Sequence, residues 1–304
     1  MSQPLINKFV VVGIGLIGGS LATGLKNRGA CAEVIGIARK AESCAEAIHH
    51  GVVDRAYTSL QDIAGELTQG DVIFIAVPTL SVAAVLEEIK QCISSQVTIT
   101  DGASVKGSVQ RAAEAVFGVV PQQFVLGHPI AGSEKSGVTA ANPNLYENHR
   151  VILTPLESTS PQHIDLVTRM WQTVGAEVLS MSVEEHDEVL GATSHLPHVI
   201  AYSLVDTLAH DINNPNIFRY AAGGFRDFTR IASSDPVMWH DIMRANKLAI
   251  LQSMDLFIDN LTRLRSSIEN EDSDSLLTVF SRAKDARDEF TRMLANRSAT
   301  SKDD

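Results

Sequence analysis

The first part of the chain alternates short apolar runs with helical patterns. Residues 8–12 form an apolar run that leads into a glycine-rich segment and then a helical pattern through Leu25, which predicts a strand, a turn and a helix. Further apolar runs predict strands at 33–37, 71–78, 97–100, 124–127, 150–154 and 176–181. Because strands that alternate with helices usually form a parallel sheet, we expect an α/β domain over residues 1–181.

The pattern changes after this point. Long helical patterns cover 183–208, 236–267 and 272–295, and β-branched runs nearly disappear. We therefore expect an all-α domain over residues 182–296. Residues 297–304 are mostly small and polar, so we expect a poorly ordered tail there.

Composition and charge exclude several classes of protein. The chain of 304 residues is 44% hydrophobic and carries a formal net charge of −11, which would repel a nucleic-acid backbone. No apolar run approaches the length that spans a membrane. The three cysteines are odd in number and lack metal-binding spacing, which favours neither disulfides nor a zinc site. We expect a soluble, cytoplasmic protein that binds neither nucleic acid nor membrane.

A dinucleotide-binding motif follows the first predicted strand. Gly13, Gly15 and Gly18 have the spacing of the dinucleotide fingerprint, with Leu16 and Ile17 inside it. Glycine lets the turn close and the backbone approach a pyrophosphate, and the following helix start offers N–H groups and positive potential. The alternative is a glycine-rich turn without a ligand. The position between a strand and a helix favours the cofactor site.

Cations occupy the place where an acidic residue would bind the ribose of NAD. The sequence there reads Ala38-Arg39-Lys40. A guanidinium is a good partner for the 2′-phosphate of NADP, so the pattern favours NADP modestly over NAD. Arg39 and Lys40 could also be ordinary solvated residues in a surface turn.

Three predicted strands end in segments that we expect at the ligand-binding edge of the sheet. Val77 and Pro78 follow one strand and are expected to line the cofactor, although a simple strand end would look the same. Loops that contain Ser104 and His128 follow two others. His128 is the natural candidate for removing a hydroxyl proton, because an imidazole titrates near neutral pH. A histidine after a strand can also be purely structural.

Two histidines in the helical part are three residues apart. His195 and His198 could share one helix face and bind a metal ion. We reject that interpretation, because no third ligand is evident and Pro197 disturbs the helix between them. The prediction is that no metal is bound.

Arg230 and Trp239 are the remaining candidates. Arg230 could hold a carboxylate of the substrate, or it could form an ordinary salt bridge with Asp227 or Asp235. Asp235 before a proline is typical of a helix cap, and Trp239 is expected to be a packed aromatic residue.

Five motifs together resemble the prephenate/arogenate (cyclohexadienyl) dehydrogenases. They are Gly-Ile-Gly-Leu-Ile-Gly-Gly-Ser, Thr-Asp-Gly-Ala-Ser-Val-Lys, Gly-His-Pro-Ile-Ala-Gly-Ser-Glu, Ser-His-Leu-Pro-His and Gly-Gly-Phe-Arg-Asp-Phe-Thr-Arg. The resemblance implies a Rossmann-type N-terminal domain, an all-α C-terminal dimerisation domain and a homodimer. It also implies oxidative decarboxylation of prephenate, arogenate or both with a nicotinamide cofactor.

The same resemblance implies roles for particular residues. His128 would polarise or deprotonate the ring hydroxyl, with Ser104 beside it. The residues implied on the substrate side are His198, Arg230, Glu134, Gly224 and Trp239. Tyrosine, which resembles the substrate, could inhibit at the same site.

Two other functions are weighed against this one. β-Hydroxyacid dehydrogenases and imine reductases share the sheet and the glycine loop, but they use a catalytic lysine or another group on the helical domain. The Gly-His-Pro segment and Arg230 argue against them. A regulatory module that only senses a nucleotide is disfavoured because both Ser104 and His128 are present.

Overall fold

The computed structural model describes residues 3–132, 137–211 and 216–300. Its strands are β1 (Ile6–Val12), β2 (Cys31–Ile37), β3 (Arg55–Tyr57), β4 (Val72–Ile75), β5 (Thr98–Asp101), β6 (Phe124–Val125), β7 (Gly127–Ile130), β8 (Arg150–Leu153) and β9 (Glu177–Ser180). The α-helices are α1 (Leu16–Asn27), α2 (Ala41–His49), α3 (Val82–Cys92), α4 (Lys106–Phe117), α5 (Pro161–Thr173), α6 (Val183–Leu190), α7 (Leu196–Ala209), α8 (Gly223–Thr229), α9 (Pro236–Ala245), α10 (Lys247–Glu269) and α11 (Ser273–Thr300).

The main sheet has six parallel strands in the order β3-β2-β1-β4-β5-β6. Both of its faces are buried, which explains the continuous apolar runs at 9–12 in β1 and at 72–75 in β4. Phe9 and Val11 of β1 pack into the core on one face, whereas Val10 and Val12 pack into the core on the other. The predicted Rossmann-type α/β fold is confirmed. The strand order reverses between β1 and β4, and ligands of such sheets bind outside the strand ends at that point.

The last three strands form a separate sheet in the order β7-β8-β9, with β7 antiparallel to β8. The sequence pattern predicted that the strands at 150–154 and 176–181 continue the first sheet, and it placed His128 in a loop. That prediction is wrong, because the chain changes sheets at Gly127. The backbone N–H and C=O of Gly127 are hydrogen-bonded to the side chains of Asp101 and Lys106. His128 therefore lies within a strand, opposite Ile152.

Two of the long predicted helices are interrupted. A π-helical turn at Gly191–His195 separates α6 from α7, and it lies directly before Pro197, which lacks the N–H that a regular helix needs. A break at Asn246 separates α9 from α10. The expected cap at Asp235 is confirmed, since its carboxylate accepts the backbone N–H groups of Val237 and Met238. These breaks place the polar side chains of His195 and Asn246 in the interior.

By packing, the chain divides into residues up to Ile250 and residues from Leu251 onward. The boundary expected after residue 181 marks the end of the last strand, whereas α6 to α9 belong to the same compact unit as the sheets. In the second unit, α11 continues through Thr300, four residues into the segment 297–304 for which we expected disorder. Small polar residues tolerate a helix when a preceding helix is already formed, because adding a residue costs far less than nucleation.

Candidate active site

The glycine motif forms a turn with room for a ligand. Gly13 has φ +98°, and a Cβ there would lie 2.6 Å from the carbonyl oxygen of Ala76, so only glycine fits. A Cβ on Gly18 would lie 2.2 Å from the Gly13 oxygen, whereas a Cβ on Gly15 would face open space. These contacts match the two uses of glycine in a dinucleotide site, tight packing and close approach to a pyrophosphate.

The start of α1 is suited to bind an anion. Gly15 is its N-cap, no side chain caps the helix, and its first turn contains no acidic residue. Its first N–H groups are therefore available to phosphate oxygens, as in dinucleotide sites. Leu16 and Ile17 are half-buried at this helix start. The residues present thus fit a dinucleotide.

The other predicted cofactor residues surround this turn. A Cβ on Gly13 would lie 3.2 Å from Cγ1 of Val77, and the exposed Pro78 follows. Arg39 and Lys40 are exposed directly after β2. Within the described residues, Arg39 forms no ion pair, so its guanidinium is available to a phosphate.

His128 is buried in β7 and its ring contacts a second histidine. Its Nδ1 lies 2.9 Å from Nε2 of His186, and the ring centroids are 5.1 Å apart. His186 is fully buried in α6, and its Nδ1 lies 2.8 Å from Oδ1 of Asp187. The three side chains form a continuous chain of hydrogen bonds from the second sheet to the helical part of the molecule.

The start of α4 anchors this chain. Both carboxylate oxygens of Asp187 accept backbone N–H groups, from Lys106 at 2.8 Å and from Gly107 at 2.9 Å. The fully buried ammonium of Lys106 binds the equally buried carboxylate of Asp101 and donates to the Gly127 carbonyl at 2.5 Å. Asp101 also accepts the N–H groups of Ala103 and Gly127. The backbone next to His128 is thereby held through both the N–H and the C=O of Gly127.

Burial keeps the histidines neutral. It is the main cause that lowers the pKa of His128 well below 6.5, and the positive charge of Lys106 and the other histidines act in the same direction. Burial likewise lowers the pKa of His186, although Asp187 opposes this. For His195, burial lowers the pKa to about 4. A neutral imidazole can accept a proton, so His128 fits the role of a general base at neutral pH.

Ser104 and the helical part meet at Trp239. Ser104 is half-buried in the loop between β5 and α4, and the next residue, Val105, packs against Trp239 of α9. No hydrogen bond joins the described side chains of Ser104 and His128. The ring of His198 stacks on Trp239 with a centroid distance of 3.5 Å. Ser104, Trp239 and His198 therefore lie in one region.

His195 and His198 have different hydrogen-bond partners. Nδ1 of His195 lies 3.1 Å from Nδ2 of Asn246, and Nδ1 of His198 lies 2.8 Å from the carbonyl oxygen of Ser194. Among the described residues, no group of three or more histidine, cysteine or acidic side chains could hold a metal ion. Asn246 also donates to the Asp187 carbonyl at 2.8 Å, so it connects His195 to the base network.

Arg230 and Gly224 lie on exposed surface. Arg230 follows α8 in a turn at 230–233 that packs against α7, and its charge adds to burial in lowering the pKa of His198. The expected alternative, a salt bridge, is absent from the described residues: Asp227 pairs with Arg226 at 2.9 Å, and Asp235 caps α9. A Cβ on Gly224 would face open space. The remaining candidate, Glu134, lies outside the described residues.

Five contributors to this site were not among the sequence candidates: Asp101, Lys106, His186, Asp187 and Asn246. The motif around Lys106 was noted, but nothing in its pattern indicated a fully buried ammonium. No motif in the sequence singles out His186, although the His186-Asp187 dipeptide is a usable signal, since a carboxylate often orients an imidazole. Asn246 falls at a helix break that helical periodicity did not predict.

Comparisons with known proteins agree with this architecture. Residues 21–180 match the family described as prephenate dehydrogenase, nucleotide-binding domain, and residues 182–282 match prephenate dehydrogenase, dimerization domain. The chain belongs to the prephenate dehydrogenase family. Over 283 residues it is 40% identical to prephenate dehydrogenase of Bacillus subtilis (strain 168), a match that covers 92% of this chain and 75% of that protein.

Two further family members extend the comparison. Cyclohexadienyl dehydrogenase of Zymomonas mobilis is 36% identical, over 91% of this chain and 94% of that protein. A crystal structure of prephenate dehydrogenase from Aquifex aeolicus, in complex with hydroxyphenyl propionate and NAD+, superposes with a TM-score of 0.87 at 37% identity. That match covers 94% of this chain and 98% of the other. The family match supports the predicted nucleotide-binding domain.

Acid should destabilise the folded chain through its buried histidines, and His195 provides the sharpest test. Its pKa is about 4 in the folded chain, against 6.5 for an ordinary histidine, so between these pH values the unfolded chain binds more protons. The stabilisation is fully present above pH 6.5 and is lost as the pH falls toward 4. His195→Asn keeps an acceptor for Asn246 and should reduce the slope of unfolding free energy against pH by up to about 1.4 kcal/mol per unit.

Urea denaturation at several pH values measures this slope. His210→Asn, at an exposed position after α7, is the matched control and should change the slope far less than His195→Asn. If the unfolding free energy of His195→Asn varies with pH as it does in the wild type, His195 takes up a proton as readily in the folded chain as in the unfolded one. The interpretation is then wrong.

Proposed function

We propose that this chain catalyses the oxidative decarboxylation of prephenate, arogenate or both, giving 4-hydroxyphenylpyruvate or tyrosine together with CO2. The observation that carries the proposal is the buried, neutral His128 at the Gly127 junction between the two sheets. That junction is bonded to the end of β5, and the loop after β5 approaches the cofactor turn. A Cβ on Gly102 would lie 3.4 Å from Cγ2 of Ile17 in the glycine motif. A base and a dinucleotide turn are thus positioned by adjoining elements.

The chemistry needs few protein groups. A nicotinamide dinucleotide held at the turn of Gly13, Gly15 and Gly18 would supply the acceptor for the hydride on the ring carbon that carries the hydroxyl. His128 removes the hydroxyl proton: the O–H bond breaks and an N–H bond forms on the imidazole. The ring carboxylate then leaves as CO2, and its bonding electrons complete the aromatic ring with the former hydroxyl oxygen as a phenolate. The phenolate takes up a proton to give the phenol, and aromatisation makes the step effectively irreversible. The protein mainly orients the ring and excludes water.

Residues around Trp239 are proposed to bind the substrate. The indole Nε1 of Trp239 is buried and has no hydrogen-bond partner among the described residues, so it can donate to a bound polar group. Arg230, in the turn that packs against α7 and without a described ion-pair partner, is suited to a carboxylate. Ser104 is proposed to contact the ring hydroxyl. Glu134 and Gly224 are proposed to line the same pocket, on the strength of their motifs.

A homodimer is proposed from the second unit and from the family match to a dimerization domain. Helices α10 and α11 leave a large set of apolar side chains exposed, which is unusual unless another surface covers them. They include Leu256, Ile258, Leu261, Ile268, Leu277, Phe280, Phe290 and Met293. A second copy of the chain would remove this surface from water.

Location and regulation follow from the same proposal. All three cysteines are free, and no helix among the described residues has the length and hydropathy needed to cross a bilayer. The free cysteines support the proposal of a cytoplasmic enzyme. Because tyrosine shares the ring and the side chain of the substrate or product, we propose that it inhibits by binding at the substrate site.

The test of function is the initial rate of nicotinamide reduction with each combination of prephenate or arogenate and NAD or NADP. We expect activity in at least one combination. A folded protein that binds a dinucleotide but is inactive in all four would show that it oxidises a different substrate.

NADP is the proposed preferred cofactor, and Arg39→Ala tests this preference. Because the exposed Arg39 guanidinium would pair with the 2′-phosphate, its loss should raise the KM for NADP about tenfold or more, which corresponds to about 1.4 kcal/mol. The KM for NAD should change little. Lys284→Ala, at an exposed site on α11, is the control for removing a surface cation. Equal effects of Arg39→Ala on both cofactors would make Arg39 a surface bystander.

His128→Asn tests the proposed base. Asparagine cannot reach as far as Nε2 of the imidazole, so kcat should fall by about 10²–10⁴-fold while the dissociation constant of the cofactor stays within about twofold. Steady-state kinetics and cofactor titration measure the two quantities. His210→Asn serves again as the exposed control. Wild-type turnover in His128→Asn would remove His128 from the mechanism.

A further inference from the structure

We propose that His186 and Asp187 are positioning residues that hold His128 in a single tautomer, with the proton on Nδ1 and a free lone pair on Nε2. The tautomer itself follows from the hydrogen-bond chain. Its consequence for catalysis, that Nε2 receives the substrate proton, rests on the proposed function.

Asp187 determines where the first hydrogen lies. Its carboxylate accepts the N–H groups of Lys106 and Gly107. Burial acts to raise the pKa of this carboxyl, but its hydrogen bonds with the ring of His186 and with these two N–H groups lower it overall. An ionised carboxylate can only accept hydrogen bonds. Nδ1 of His186, 2.8 Å from Oδ1, must therefore carry a hydrogen.

The ring of His186 transmits this constraint on hydrogen positions to His128. Burial lowers the pKa of this histidine, so the ring is neutral and carries only one hydrogen. Since that hydrogen is on Nδ1, its Nε2 is an acceptor. Nδ1 of His128 lies 2.9 Å from that acceptor, so it must be the donor.

These hydrogen bonds leave Nε2 of His128 as the atom that can accept a proton. His128 is also neutral, because burial lowers its pKa well below 6.5. With its single hydrogen on Nδ1, its Nε2 is left as an unprotonated acceptor. A general base needs this lone pair, and the other tautomer would present an N–H instead.

The charges around the pair act in opposite directions on a proton held by His128. The groups that face the two histidines are Lys106 and Asp101 at the α4–β5 junction, Asp187 on α6 and His195 in the π-turn. The charge of Lys106, although paired with Asp101, disfavours a cation on His128. Asp187 is the negative charge that can stabilise an imidazolium on His128 through the neutral ring of His186.

Nitrogen NMR of the wild-type protein tests the tautomer directly. Histidine labelled with ¹⁵N reports a protonated ring nitrogen and a bare one at well-separated chemical shifts, and comparison with His128→Asn identifies the His128 signals. We expect protonated Nδ1 and bare Nε2 at neutral pH, without any ligand. A protonated Nε2 in the wild-type protein would overturn the proposal.

Two variants of nearly equal size test the consequence. In His186→Gln, the amide oxygen can accept the Nδ1 hydrogen of His128, whereas in His186→Leu nothing can. With saturating cofactor, we expect His186→Leu to lower kcat on the order of 10²-fold and His186→Gln to stay within about tenfold of wild type. The Leu variant should also show His128 signals from both tautomers.

The control is His240→Leu, which alters the same His-Asp dipeptide on exposed surface, where Nδ1 of His240 lies 3.1 Å from Asp241. It should leave kcat and the His128 signals unchanged. Equal losses in the Gln and Leu variants, with one unchanged His128 tautomer, would reduce His186 to a packing residue and overturn the proposal. If the wild-type protein lacks dehydrogenase activity, the proposed function fails, while the NMR result still decides the tautomer.

Discussion

The buried ion pair between Asp101 and Lys106 is the interaction on which the candidate site depends. Both side chains are fully buried, and a buried charge is tolerated only when its partner and its hydrogen bonds are complete. Here the carboxylate also accepts two backbone N–H groups and the ammonium also binds a backbone carbonyl. Removing one partner of such a pair typically costs about 3–5 kcal/mol. The pair joins the end of β5, the start of α4 and the point where the chain changes sheets.

This junction determines where the base can lie. Because the polar groups of Gly127 are bonded to the ion pair, β6 ends after Val125 and the chain enters the second sheet. His128 follows immediately, in a strand whose backbone is held by β8. A side chain on a paired strand has fewer accessible positions than one on a loop, and a base benefits from such preorganisation.

The two ends of the site follow different physical rules. The cofactor turn is built by backbone geometry, in which a positive φ and two close contacts exclude any side chain at Gly13 and Gly18. The protonation state of the base depends on electrostatics. Burial and the nearby Lys106 charge keep His128 neutral, while Asp187 remains ionised. The first end depends on a local motif, and the second depends on residues from three distant segments.

The sequence by itself determined the α/β fold, the glycine turn, the cap at Asp235 and the identities of Ser104, His128, His198 and Trp239 as candidates. These features are local, since periodicity, turn chemistry and short motifs depend on residues that are near one another in the chain. Only the tertiary structure decided that β7 leaves the main sheet, that Asn246 breaks a helix, and that His186, Asp187 and Lys106 surround His128. Lys106 and Asp187 lie 81 positions apart, and the hydrogen bond between them exists only after α4 and α6 have packed together. Burial and partnership of charged groups are properties of that packing, and no local pattern in the chain encodes them.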